Sequence, residues 1–316
     1  MHLEGISSPN RPVLVTGGLG FIGGHLVDHL IDSGFKHVRV FDNHRRAVTP
    51  TRGWPSKLVE VIQGDVRDQS GLHNAMKGCE LVYHLAAQSN VLAAVSDPYY
   101  SYTTNVGGTW NVLFAAREEQ VRRVVFTSSR EVYGDRDLVP VSENVPLNPK
   151  NLYGATKAAS EIDCRALEDD DLEVVILRLA NVYGPRDQDR VIPIFLRNAL
   201  QDDPLTVYGG EQILDFVWID TVVTALLTAG HGDYVSEPIN VGSGVGTTVL
   251  SLARKVLQLI PSNSRCLRMP TRALEVSKFV ADIDRAKTLL GLPSVSDPLA
   301  YLPQLIDCTR HQTLVA

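Results

Sequence analysis

Of 316 residues, only four are cysteine, three are methionine and three are tryptophan. Cys79, Cys164, Cys266 and Cys308 are scattered with no paired spacing, so neither a zinc site nor a disulfide framework is indicated. Such cysteine usage fits a reducing compartment, and the expected location is the cytoplasm. No apolar run reaches the roughly 20 residues a membrane span needs. The first dozen residues are polar, carry Pro9 and Pro12, and lack the apolar core of a signal peptide. Positive charge is not in excess: 30 Lys and Arg against 36 Asp and Glu give a formal charge of −6, which leaves no basic footprint for nucleic acid. Neither nucleic acid nor a membrane is therefore expected as a partner. Repeats and low-complexity tracts are also missing.

What is there is ordinary in bulk and specific in detail. Hydrophobic residues make up 44% and charged residues 21%, as in a soluble globular protein. The length suits one large α/β domain or two intimate ones. The informative stretch is Val13-Leu14-Val15-Thr16-Gly17-Gly18-Leu19-Gly20-Phe21-Ile22-Gly23, an apolar strand, a glycine turn and the start of an amphipathic helix. Gly17, Gly20 and Gly23 permit a tight turn, close approach of a pyrophosphate and helix-on-strand packing. The helix's first amides then face the phosphates. A second strand, Val38 to Phe41, ends in Asp42, whose carboxylate can bind both hydroxyls of an adenosine ribose and would repel a 2′-phosphate. The expected cofactor is NAD; Arg45 and Arg46 close by keep NADP as the alternative.

Strands at 58–62, 80–87, 121–127 and 173–179 alternate with helical runs at 72–76, 105–116 and 156–167. This predicts an α/β fold, a Rossmann-type doubly wound parallel sheet with a smaller C-terminal substrate-binding lobe. Residues 1–180 form the NAD-binding part, with the sheet completed by about 236–250; 181–235 and 251–316 form the other lobe. Asp65 after the third strand is either an adenine contact or a helix N-cap. The fourth strand ends in Leu85, Ala86 and Ala87, small enough to admit the cofactor to the backbone. His84 before them reads as structural rather than catalytic. The fifth strand delivers Ser129, Arg130 and Glu131 to the carboxyl ends of the strands, where ligands bind such sheets.

Tyr153 and Lys157 share one helical face. A free phenol titrates near 10, and an ammonium one turn away plus a cationic nicotinamide would favour the phenolate. Tyr153 can then take a proton from a sugar hydroxyl while NAD accepts hydride from the same carbon. Lys157 would also bind the nicotinamide ribose, and Ser129 the reacting oxygen.

From Val13 to about Gly291 the chain resembles the extended short-chain dehydrogenase/reductase family of NAD-dependent nucleotide-sugar epimerases and dehydratases. The matching positions include 16–23, Asp42, Gly64-Asp65, 84–87, Asn105, Ser129, Tyr133-Gly134, Tyr153, Lys157, Arg178, Asn181, Tyr183-Gly184, Asp215-Phe216 and Asp220. The resemblance implies a UDP- or dTDP-sugar substrate and a homodimer built on the helices at 105–116 and 156–167. It implies cofactor contacts at Gly17, Gly20, Phe21, Ile22, Asp42, Asn43, Asp65, Val66, Leu85, Ala86, Ala87, Asn105, Tyr153 and Lys157. It also implies substrate contacts at Arg130, Asn181, Arg190, Tyr208, Arg272 and Glu275.

Two departures from the family pattern bear on the reaction. Leu214 stands where the family usually has a phosphate-binding Arg, so Arg272, with Arg190 or Arg186, must do more. Arg130-Glu131 stands where the family's 4,6-dehydratases have Asp-Glu, the acid for the 6-hydroxyl and the base for C5. Glu131 is thus the candidate C5 base, with Glu131 itself, Tyr133 or a water as proton donor to the leaving hydroxyl. Hydride return to C4 would leave a 5,6-alkene, an outcome resembling the UDP-N-acetylglucosamine 5,6-dehydration of the tunicamycin antibiotic pathway. Phe279, which matches a side chain that excludes N-acetyl groups, speaks against that sugar. A 4-epimerase, a 4,6-dehydratase and a UDP-glucuronate decarboxylase using Arg130 for the carboxylate are the alternatives. A structural Arg130–Glu131 pair, or a non-catalytic NAD-binding protein on this fold, would make Glu131 a bystander.

Overall fold

Strands buried on both faces read as continuous apolar runs, and the first half of the chain is built from them. A computed structural model describes residues 11–50, 53–233 and 236–315, the side chains of 311–315 excepted; the polar leader therefore lies outside the described residues. In chain order come β1 (Val13–Thr16), α1 (Phe21–Asp32), β2 (Val38–Asp42), β3 (Val59–Gln63), α2 (Gln69–Met76), β4 (Leu81–His84), α3 (Val91–Ser96) and α4 (Pro98–Tyr102). A π-helical turn at Thr103–Gly107 leads into α5 (Gly108–Glu118), followed by β5 (Arg123–Ser129), α6 (Leu152–Leu167) and β6 (Glu173–Leu179). The predicted helix at 105–116 thus starts three residues late, because Asn105 lies in the π turn.

Beyond β6 lie β7 (Asn181–Tyr183), α7 (Val191–Leu200), β8 (Leu205–Tyr208), β9 (Ile213–Trp218), α8 (Ile219–His231) and β10 (Ile239–Val241). Seven strands pair in parallel in the order β3-β2-β1-β4-β5-β6-β10, the doubly wound sheet expected. Strand order reverses at β1, so the crevice at the carboxyl ends of β1 and β4 is the natural ligand site. Side-chain alternation divides the core between the two faces. Val13 and Val15 pack with Leu26, Val27 and Leu30 of α1 and Val222, Val223 and Leu226 of α8. Leu14 faces the opposite side with Leu72, Ala75 and Met76 of α2 and Val112, Leu113 and Ala116 of α5.

The rest of the chain is β11 (Gly246–Thr248), α9 (Val249–Leu259), β12 (Cys266–Met269), α10 (Asp284–Leu290) and α11 (Leu302–Val315). It forms two small sheets, β11-β9-β7 and β12-β8, beside the cleft. Among the described residues no helix is long and apolar enough to cross a membrane.

A buried ion pair ties β6 to α6. Arg178 donates to both carboxylate oxygens of Glu161, at 2.7 Å for Nη2 to Oε2, and each side chain is 5% exposed. Ser128 of β5 also donates to Glu161, and Arg178 donates to the Tyr133 hydroxyl. Removing one partner strands a buried charge, whereas removing both does not. Arg178→Met is expected to lower unfolding stability in urea by about 3–5 kcal/mol, and Arg178→Met with Glu161→Met to recover more than half of that loss. A double variant no better than the single one would show that the pair carries no such burden.

Candidate active site

The turn after β1 needs glycine. Gly17 sits at φ +71°, and a Cβ there would come within 2.7 Å of the Ala86 nitrogen. α1 begins at once behind Gly20, and no side chain caps its first amides. Gly17, Gly20, Phe21 and Ile22 line a cleft of about 960 Å³ with Asn43, Val66, Leu85, Ala86 and Ala87. Free helix N-terminal amides opening on a cradle that a Cβ would fill fit a pyrophosphate.

Asp42 lines the same cleft, and its two oxygens accept from the Leu19 and His44 amides at 3.0 and 2.8 Å. One carboxylate therefore fixes both the glycine loop and the turn after β2. The two arginines that kept NADP open are otherwise engaged: Arg45 lies 4.1 Å from the Tyr100 ring centre, and Arg46 pairs with Asp189.

Asp65 stands between Gly64 and Val66, both on the cleft wall. It binds Arg67 through both oxygens and accepts from Asn43, and the Arg67 contact foremost holds it down at about 2. It is not a helix cap, since Asp68 caps α2. The expected cofactor contact at Asn105 is corrected. Asn105 is buried and absent from the cleft wall; it brackets Gln88 through that residue's backbone N–H and C=O and donates to Thr156. It holds the wall in place rather than forming it. His84 is structural, as expected: its ring nitrogens meet Thr16 and Thr109 at 2.8 and 3.0 Å, and burial drives it down to about 3.

Ser129, Arg130, Glu131, Tyr153 and Lys157 all line the cleft. β5 carries Ser129 to its end, and the chain then makes a short 3-10 turn over Arg130–Val132 that the sequence reading did not resolve. Asn151 caps α6 by accepting from Gly154 N–H at 2.8 Å, which sets Tyr153 in the first turn. Gly154 is required here because a Cβ would lie 2.4 Å from the Glu131 carbonyl oxygen.

Burial pushes Tyr153 up to about 12, opposed by its hydrogen bond with Ser129 and by the charges of Arg190 and Arg130, and aided by Glu131. Burial brings Lys157 down to about 8. Its ammonium donates to the Thr127 carbonyl at 2.8 Å and lies 4.6 Å from the Phe126 ring centre. In this arrangement Ser129 and the two arginines are the groups that oppose the rise of the phenol.

Glu131 is buried and doubly held, by Arg130 Nη2 on Oε1 at 2.8 Å and by Asn151 Nδ2 on Oε2 at 2.7 Å. Tyr133 is corrected as a proton donor. It is buried away from the cleft, its hydroxyl is held by Arg178 and Asn240, and burial raises it to about 12. Phe279 is likewise fully buried, stacked 5.7 Å from the Tyr133 ring, and so does not guard the cleft.

On the far wall stand Asn181, Arg190, Tyr208, Leu214, Arg272 and Glu275. Arg272 covers the Tyr208 ring at 3.7 Å and pairs with Glu275 at 3.1 Å, forming a flat cationic shelf. Arg190 pairs with Asp187 at 3.0 Å and lies over the Phe21 ring at 5.5 Å, beside the glycine loop. Arg186 is committed to Asp28 of α1, so it does not replace the cation missing at Leu214. Two contributors escaped the sequence reading. Gln88 lines the cleft with a buried, unpartnered Oε1, and Asn151 holds Glu131. The latter had a signal, an Asn two residues before the tyrosine at a helix start.

Residues 13–242 match the NAD dependent epimerase/dehydratase family. A putative UDP-glucose 4-epimerase of Methanocaldococcus jannaschii is 34% identical over 291 residues, 90% of this chain and 93% of the relative. A UDP-N-acetyl-alpha-D-glucosaminuronate decarboxylase of Bacillus cytotoxicus is 34% identical over 272 residues, 81% of this chain and 83% of that one. Among solved structures, the dTDP-glucose 4,6-dehydratase DesIV of Streptomyces venezuelae, with NAD bound, superposes with a TM-score of 0.88 at 27% identity, covering 96% of this chain and 98% of that one. The glycine cradle, Asp42 and the Ser129/Tyr153/Lys157 set thus agree with the family match, and the chain belongs to the NAD-dependent epimerase/dehydratase family and is an NAD-dependent enzyme of that kind.

Proposed function

We propose that this enzyme is a nucleotide-diphosphate-sugar dehydratase whose substrate is UDP-N-acetylglucosamine and whose product is the 5,6-alkene. The observation that carries the reading is Glu131, a buried carboxylate on the cleft wall that acts electrostatically on Tyr153 and is held by Arg130 and Asn151. NAD, when bound, supplies the hydride acceptor and donor at C4. Tyr153 takes the proton of the 4-hydroxyl, Ser129 steadies that oxygen and Lys157 binds the ribose beside it. With C4 a ketone, the C5 proton is acidified and a carboxylate can remove it. The C5–H electrons form the C5–C6 double bond as the C6–O bond breaks. The proton on Glu131 passes to the leaving hydroxyl, and water departs. Tyr153 would return its proton to the C4 oxygen as that carbonyl is reduced again, so the sum would be loss of one water with no net oxidation.

With Phe279 stacked under Tyr133, its objection to an N-acetyl sugar is lifted. The Arg272–Tyr208 shelf suits a base and diphosphate, and a UDP- or dTDP-sugar is the substrate class. A second reading, decarboxylation of a nucleotide uronate, is favoured by Arg130, which keeps one buried guanidinium nitrogen, Nη1, without a partner. A plain 4-epimerase uses Tyr153 in the same way but gives Glu131 no task. Residues 181–235 and 251–316 are read as the sugar-nucleotide lobe. A cytoplasmic homodimer through α5 and α6 is part of the proposal. Trp110 and Ile162 on those helices are exposed, 45% and 66% respectively, with Tyr102 beside them at 57%.

Incubating the protein with UDP-N-acetylglucosamine, UDP-glucose, UDP-glucuronate and dTDP-glucose in deuterated water separates the readings by product mass. Loss of water is expected, whereas loss of carbon dioxide or an isomer of unchanged mass would overturn the dehydratase. Tyr153→Phe should keep NAD bound and slow turnover by at least about a hundredfold; full activity would refute its role. Glu131→Gln should stop loss of water, and with it loss of label from substrate deuterated at C5, while C4 oxidation, seen as absorbance of reduced nicotinamide, persists. Ile162→Glu should turn a dimer into a monomer in sedimentation velocity, and a wild-type monomer would remove the homodimer.

A further inference from the structure

We infer that Asn151 is a positioning residue for the C5 base, one whose side-chain amide ties Glu131 to the first turn of α6 and to the loop at Leu274. The inference rests on the proposed role of Glu131. Asn151 is buried, is not part of the cleft wall, and spends every polar atom of its side chain. Its Oδ1 accepts from Gly154 N–H at 2.8 Å, the cap of α6. Its Nδ2 donates to Glu131 Oε2 at 2.7 Å and to the Leu274 carbonyl at 3.1 Å. One planar amide therefore joins three things: the helix turn that carries Tyr153, the carboxylate after β5, and the loop that carries Arg272 and Glu275.

The geometry leaves little slack. The Glu131 carbonyl is packed against Gly154, so the backbone under the base is pinned to the same turn. The carboxylate is pinned at both oxygens, by Arg130 on one and Asn151 on the other. An amide donor favours the ionised carboxylate, as a base requires. Serine or aspartate would cap the helix about as well as asparagine, but serine is too short to reach Glu131 and aspartate carries no N–H to donate. Capping alone does not call for this residue; holding a carboxylate does. The bond to the Leu274 carbonyl holds the donor to Glu131 from a second side. The charged and titratable groups facing Glu131 are Arg130 on its own turn and Tyr153 from α6, with Arg190 at the start of α7 acting on the phenol from the opposite side of the cleft.

The test uses full-length protein with its bound NAD and UDP-N-acetylglucosamine, unlabelled or deuterated at C5. Asn151→Ser keeps the cap, so C4 oxidation is expected to stay within about threefold of wild type while loss of water falls at least about tenfold and slows further with deuterium at C5. Asn151→Ala, which loses the cap as well, should impair both steps. Equal loss of water in wild type and Asn151→Ser would overturn the positioning role. Glu131→Gln keeps the two failures apart. If it abolishes loss of water while Asn151→Ser does not lower it, only this inference falls. If it leaves loss of water intact, or wild type releases none, the C5-base reading falls and takes this inference with it.

Discussion

The buried bridge between Arg178 and Glu161 is the constraint on which the reactive cleft depends. β5, the turn after it and α6 carry all four groups proposed for hydride and proton transfer, Ser129, Glu131, Tyr153 and Lys157, and such groups must hold their mutual position to fractions of an ångström. Packing alone leaves a helix free to slide along a sheet. A two-oxygen contact from Arg178, joined by Ser128 from β5 and passed on through Tyr133 to Asn240 of β10, removes that freedom. Charged groups in a core stabilise little for their desolvation cost, so their use here is best understood as registration. The tyrosine offered as a proton donor proves to belong to this network, which explains both its burial and its place beside the motif.

Lys157 lies one turn before Glu161 on α6. Its ammonium is withdrawn from the phenol and rests on the Thr127 carbonyl and the Phe126 face, in surroundings that disfavour its charge. Tyr153 is likewise poised as a neutral phenol by burial. Both conditions suit a site that waits for a cationic nicotinamide ring: a positive charge entering between them favours the phenolate, and a ribose hydroxyl gives the lysine a new partner. Charges supplied by the cofactor, not a permanent ion pair, would then switch the base on.

Much of this was legible in the sequence because backbone demands leave strong marks there. Gly17, Asp42, the Ala86-Ala87 strand end and the Tyr153/Lys157 spacing each follow from a steric or periodic rule, and each lies where the rule puts it. The parallel, doubly wound sheet followed from the alternation of strands and helices, and the 236–250 segment supplies its last strand, β10. Side-chain partnerships across long separations left no such mark. Nothing in the sequence tells that Arg67 folds back on Asp65 two residues earlier. Asn105 matches a family position, yet its amide is turned to Gln88 and Thr156. Phe279 falls at a position that suggests a gate, but a stacked Tyr133 and complete burial make it core. The π turn at Thr103–Gly107 interrupts what periodicity reads as one helix, since a single extra residue in a turn hardly alters an apolar pattern.

Fold and cofactor do not decide the reaction, because oxidation at C4 opens several exits and relatives of this chain are named for three of them. What separates the exits is which groups stand around C5 and C6. An acid beside the base would protonate a departing hydroxyl from a second direction; here that neighbour is Arg130, which has no proton to give at any working pH. In the proposed dehydration Glu131 must then return the proton it has just taken, or borrow a water, and the first course needs C5–H and C6–O syn about the C5–C6 bond. A carboxylate anchored at both oxygens can serve such a syn elimination only if it is already aligned with both atoms, because it has no freedom to swing between them. Rigidity at Glu131, secured by Arg130 and Asn151, is therefore a requirement of the chemistry once the second acid is gone.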